Sequence, residues 1–230
     1  MNSKITMLAL GISMYCSLSW GQLLSNTKHD FTRNSAATRD QMCVFCHVPR
    51  ELSDGGGNTD APLWNKKASS GGGFIMYSAT KAGTSPDAIP NSSTLACLSC
   101  HDGTTAINSL NQRPHVGAGI PGDSSSEQTT VDTMATTDAA QIGPDLSNDH
   151  PVSIEYRDEL VANGLLRPKN TQLPGSWLGA MTIQNLLRTD GAKINRVECV
   201  SCHDPHDNTN GMFLRVNNAG SALCCACHTY

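Results

Sequence analysis

Aromatic residues make up only 5% of this 230-residue chain and charged residues only 16%. So few large rings leave too little apolar bulk for a conventional core of this size. The formal net charge is −4, a balance that argues against nucleic acid as a partner. Beyond the first residues, no apolar run approaches the length of a membrane span. Cysteine, glycine and histidine are what the chain has instead: 10 Cys, 20 Gly and 8 His.

Eight of the cysteines and four of the histidines fall into four copies of Cys-x-x-Cys-His: Cys43, Cys46 and His47; Cys97, Cys100 and His101; Cys199, Cys202 and His203; Cys224, Cys227 and His228. Chance at this composition would give far fewer than one copy. Two thiols at that spacing can each form a thioether to one haem vinyl, and the adjoining imidazole reaches the iron. Zinc is the rival, because Cys and His also build structural zinc sites. The remaining histidines favour haem. His29, His115, His150 and His206 lie outside the motifs, one spare imidazole for each of four irons, so bis-histidine ligation is expected throughout. Methionine competes for the sixth position, with Met42, Met76, Met134, Met181 and Met212 available; a Met ligand would raise the potential.

Three spare histidines have proline beside them, at Pro114-His115, His150-Pro151 and Pro205-His206. Proline restricts its own φ and the residue before it, which lowers the entropic cost of holding a loop ligand. His206 lies only three residues after His203. So short a link cannot pass around a porphyrin, so the two are expected on different haems. Asp follows His29, His101 and His203, where a carboxylate could orient a ring, although neighbouring side chains commonly diverge.

The N-terminus reads as an export signal: Lys4, the apolar residues 5–14, Leu18, then Ser19-Trp20-Gly21 with cleavage expected after Gly21. Residues 22–230 would then form one domain. Loss of Lys4 leaves a charge of about −5, which propionates would make more negative. Export suits haem attachment, which takes place outside the cytoplasm. Cys16 leaves with the signal, and Cys225, inside the last motif, remains as a thiol that reads as a small buried filler, a cross-link or an alternative attachment point. The haems would supply the missing core.

Little regular structure is expected. Short helices should carry attachment sites at 37–46, at 94–101 and at 221–228, the last two behind Ser/Thr caps. A further helical turn fits 157–162. Residues 183–187 and 194–199 flank Thr189-Asp190-Gly191 and read as the arms of a hairpin. Residues 55–57, 71–73 and 123–137 read as surface loops.

The order Asn26-Thr27-Lys28-His29-Asp30, Cys43-Val44-Phe45-Cys46-His47, Ala61-Pro62-Leu63-Trp64-Asn65, Cys97-Leu98-Ser99-Cys100-His101-Asp102-Gly103-Thr104, Asn148-Asp149-His150-Pro151-Val152-Ser153 and Cys202-His203-Asp204-Pro205-His206 resembles the OmcE-type tetrahaem cytochromes. Those are secreted by metal-reducing bacteria and polymerise into extracellular filaments. The resemblance covers nearly all of the mature chain; the polar loop between His115 and His150 matches poorly and Cys225 is unusual. It implies a multihaem cytochrome c fold, mostly irregular, organised around four stacked bis-His haems, with one sixth ligand supplied by the next subunit. His29, near the start of the mature chain, is the candidate for that role, since a terminal arm can reach its own body or a neighbour.

Three functions follow as expectations. The first is an extracellular electron conduit, self-associating head to tail and exchanging electrons with partner cytochromes and acceptors such as metal oxides. The second is a monomeric periplasmic shuttle. The third, a multihaem reductase, needs an iron with an open position, and four spare histidines for four haems leave none.

Overall fold

The computed structural model describes residues 24–31, 39–48, 64–66, 73–79, 83–107, 110, 133–177 and 181–229. The signal segment, the loop at 55–57 and His115 lie outside them. Short elements dominate. Helices of 4–10 residues cover Ser92–His101, Asp158–Ala162, Ile183–Leu186, Cys199–Cys202 and Ala222–Cys227, and Arg39–Phe45 forms a 3-10 helix. Three strands, β1 (Ile154–Glu155), β2 (Arg188–Asp190) and β3 (Lys193–Val197), make an antiparallel sheet in the order β1-β3-β2. Ile154 pairs with Val197, and Asp190 with Lys193 across the turn that holds Gly191 at φ +58°.

The hairpin is shorter than its sequence implies. Residues 183–186, expected in its first arm, are helical instead. The Thr182 hydroxyl and the Asn185 side chain form a capping box there, and Ile183 and Leu186 point inward at 0% and 2% exposure. Only Arg188 onward is left to pair. Both expected Ser/Thr caps are also replaced. The Ser92–His101 helix begins earlier, and Asp190 Oδ2 accepts from the Ser92 N–H and hydroxyl at 2.8 and 2.7 Å. Before the last helix, Ser221 is in the left-handed region, φ +59°, and Asn218 Oδ1 takes the Leu223 N–H at 3.0 Å.

Buried apolar residues form three small groups among the described residues. Tyr156, Ile183 and Leu187 pack with Leu173, Val197 and Cys227; Trp177, Leu186 and Val216 pack with Leu223 and Ala226; Val44 and Phe45 pack with Phe31 and Leu110. Each group backs an attachment segment. The Tyr156 hydroxyl donates to Arg167 O at 2.7 Å, which ties the loop after β1 to the strand-like run beside the last site. Among the described residues no helix is long and apolar enough to cross a membrane.

Candidate haem-binding sites

Each attachment motif is one helical turn. The His N–H donates to the carbonyl of the first cysteine at 2.7 Å in Cys43–His47, 3.0 Å in Cys199–His203 and 3.0 Å in Cys224–His228, and Cys97–His101 ends an α-helix. Positions i, i+3 and i+4 of a helical turn share a face. Both thiols and the imidazole of each motif are therefore presented on one side, which is what bonding a flat macrocycle at two edges and its central metal demands.

Opposite three of those imidazoles stands a second one. The His47 and His206 rings have centroids 6.0 Å apart at an interplanar angle of 17°. His101 and His29 are 6.1 Å apart at 69°, and His228 and His150 are 6.4 Å apart at 67°. Metal–imidazole bonds are about 2 Å long and a ring nitrogen sits about 1 Å from its ring centre, so two imidazoles sharing one metal have centroids about 6 Å apart. All three pairs have that span. His206 thus lies across from His47, away from His203. His29 faces His101 of its own chain and stacks on Phe213 at 4.1 Å.

The ring orientations are fixed mostly by backbone. His101 Nδ1 contacts Ala140 O at 2.8 Å, His203 Nδ1 contacts Met212 O at 2.9 Å, and His29 Nδ1 contacts Pro205 O at 3.4 Å. Donation from Nδ1 leaves Nε2 free as a ligand. The Asp residues that follow His29 and His101 serve their own turns: Asp30 accepts the Asn26 N–H, and Asp102 accepts from Thr104. Asp204 acts two residues on, 3.6 Å from His206 Nδ1, with Arg215 3.5 Å away on its other oxygen. The His206 contact holds the Asp204 carboxyl below the usual range, against its burial. Burial lowers His29 and His228, keeping both rings neutral, the form that ligates.

Zinc fits poorly. Among the described residues no three Cys, His, Asp or Glu side chains converge on one point, whereas a structural zinc needs four ligands. Burial pushes the Cys46 thiol up to about 12 and those of Cys202 and Cys227 up to about 11, whereas the hydrogen bond with Cys97 lowers Cys199. Paired imidazoles with two thiols to one side are the donor set for a haem bonded through thioethers.

The sites also neighbour one another in sequence order. Cys46 of the first motif is close enough to feel Cys100 of the second. Cys97 of the second lies within hydrogen-bond reach of Cys199 of the third, and Cys202 of the third feels Cys224 of the fourth. Side chains outside the cysteine–histidine ligand set make these junctions. Trp64 packs edge-on to His47 at 5.9 Å and its Nε1–H donates to Ser99 Oγ at 3.3 Å. Buried Asn65 donates to Val44 O at 2.7 Å. Between the second and third sites, the Glu198 carboxylate accepts from Asn91 Nδ2 at 2.8 Å, Thr94 Oγ1 at 2.5 Å and Ser153 Oγ at 3.0 Å.

A family model described as a doubled CXXCH motif matches residues 192–230, which hold the third and fourth motifs. The doubled motif points to covalently bound haem c. With it comes haem-binding electron transfer of the kind multihaem c-type cytochromes perform. No curated protein matches the chain.

Proposed function

We propose that this chain is an electron-transfer protein that holds four haem c groups, each between two histidines, and that it serves as the subunit of an OmcE-type extracellular filament. Bound haem supplies a one-electron Fe(III)/Fe(II) couple. The chain supplies the order. The observation that carries the reading is the nearness of each attachment motif to the next, Cys46 within electrostatic reach of Cys100, Cys97 within hydrogen-bond reach of Cys199 and Cys202 within electrostatic reach of Cys224, an order that would keep four redox groups adjacent. His47 with His206, His101 with His29 and His228 with His150 would hold three of the irons, and His115, outside the described residues, is the spare histidine left for the site of His203. With no sixth position vacant, the chain transfers electrons without turning over a substrate.

Two measurements bear directly on the sites. Intact mass of the secreted protein should show four haems per chain, beginning at Gln22; two haems would confine attachment to 192–230. Electron paramagnetic resonance of the oxidised protein should separate the pairs. Near-parallel imidazoles split the two iron d orbitals that they overlap, and near-perpendicular ones leave them almost degenerate. One ordinary rhombic low-spin signal is expected from the His47–His206 site, at 17°, and two highly anisotropic ones from the sites at 69° and 67°.

Filament assembly draws on the terminal position of His29. Its contact with His101 within one chain can be made equally by the arm of a second copy, an exchange that costs little and propagates head to tail. Electron cryomicroscopy of the sheared surface fraction tests this. Filaments with His29 against a neighbour's second site are expected, and His29→Ala should abolish them while four haems remain. Filaments that survive H29A exclude arm exchange. The intramolecular His29–His101 contact itself favours the second reading, a monomeric periplasmic shuttle; soluble monomers alone would establish it. Partner cytochromes and metal oxides outside the cell are the corresponding electron donors and acceptors in the filament reading.

A further inference from the structure

Lys66 is 2% exposed, a rare situation for a lysine without a carboxylate. Its Nζ donates to Ala106 O at 3.0 Å and Ile107 O at 2.6 Å. Among the described residues no carboxylate lies within ion-pair distance of it. It also contacts the Cys100 sulfur and acts on Cys46. The ammonium therefore sits where the first and second attachment sites meet, removed from water. Asn65 fixes it there, with its backbone N–H on Cys46 O at 2.8 Å and its amide on Val44 O.

Holding a buried cation with two neutral carbonyls is costly, and a tie between the same two carbonyls needs no charge. What the charge adds is a field. In surroundings of low dielectric, that field acts strongly on any group nearby that changes charge. We propose that Lys66 is a potential-setting residue: its fixed positive charge favours the reduced state of the two haems bonded through Cys46 and Cys100, raising their midpoint potentials above the values they would have without it. The inference rests on the reading of the four motifs as haem sites. Each reduction is one electron from an external reductant, Fe(III) to Fe(II), and adds one negative charge that the ammonium attracts; no proton is required.

Spectroelectrochemical titration of the full haem-loaded protein, with haem number per chain taken from intact mass, tests it. K66M should keep four haems and move two of the four midpoint potentials downward, leaving the other two unchanged, while K66R stays near the parent. K66Q, whose amide can still donate to a carbonyl, should give the same downward shift and stands in should K66M fail to assemble. A neutral variant with four haems that titrates like the parent, or that moves all four potentials equally, overturns the proposal. A parent chain without haem at the first two motifs overturns the underlying reading as well, and mass alone reveals that case.

Discussion

Replacing Glu198 by Ala should destabilise the haem-loaded protein by about 3–5 kcal/mol, a large part of the roughly 5–15 kcal/mol that a domain commonly has. The carboxylate is 1% exposed and accepts from Asn91 and Thr94, at the start of the second attachment helix, and from Ser153, beside β1. Removing it takes the acceptor from two hydroxyls and from one hydrogen of the Asn91 amide, whose other bond is to Asp87 Oδ2 at 3.0 Å, in a site closed to water. The same residues join the second attachment helix to the third, since Thr94 Oγ1 is also 3.6 Å from Cys199 Sγ. Denaturant unfolding followed by Soret circular dichroism reads both stability and haem spacing. A loss below about 1 kcal/mol would mean that water replaces the carboxylate at little cost.

Glu198 also gives the protein a pH dependence of definite sign. Burial is the main cause of its raised carboxyl pKa, opposed by the three hydrogen bonds. The folded chain thus retains a proton that the unfolded chain releases. The contribution of this group to stability is fully present below the ordinary value of 4.5 and is lost as pH rises through the folded value. E198Q, which cannot ionise, should lack that component of the unfolding midpoint's decline between acid and neutral pH. An identical pH profile in E198Q and the parent would assign the decline to other groups.

What the sequence reveals differs by element for physical reasons. The attachment turns are legible because haem bonding dictates residue type at fixed spacing, and i, i+3, i+4 on one face leaves no freedom. The separation of His206 from His203 is legible because three residues cannot reach around a macrocycle. His206 opposite His47 is not, because that contact spans 159 residues and is made by tertiary packing. The arm 183–187 misleads because its apolar run suits a strand and a buried helical turn equally, and Thr182 with Asn185 decides for the turn. Caps mislead for a related reason. Asp190, remote in sequence, replaces the local hydroxyl at Ser92, and no window of the chain contains both. Lys66 and Glu198 escape because a single charged residue in a loop has no periodicity; only burial distinguishes it from a solvated one.

If the chain holds four bis-histidine haems as proposed, replacing His206 by Ala should convert one of the sites, and only one, from closed to ligand-accepting. On the proposed reading, which places an imidazole on each side of every iron, the parent should bind no carbon monoxide when reduced. H206A removes the ring 6.0 Å from His47 and leaves the first site with one axial nitrogen. One carbon monoxide per chain is expected, together with a high-spin ferric band of the same stoichiometry. His203 cannot fill the gap, because its Nδ1 is committed to Met212 O and its own motif holds it to the third site. His29, the other spare ring in that region, is stacked on Phe213 and faces His101. H206M should close the site again and raise a single midpoint potential, since a thioether ligand favours the reduced metal. The D204N variant serves as the control, because it removes the carboxylate 3.6 Å from His206 Nδ1 without removing the ligand, so six-coordination should persist. Should H206A bind no carbon monoxide while carrying four low-spin haems, His206 is not a ligand and the pairing of the first site with the His203–His206 turn fails. Two carbon monoxide molecules per chain would mean instead that His206 also holds a neighbouring site in place, through the turn that links it to His203.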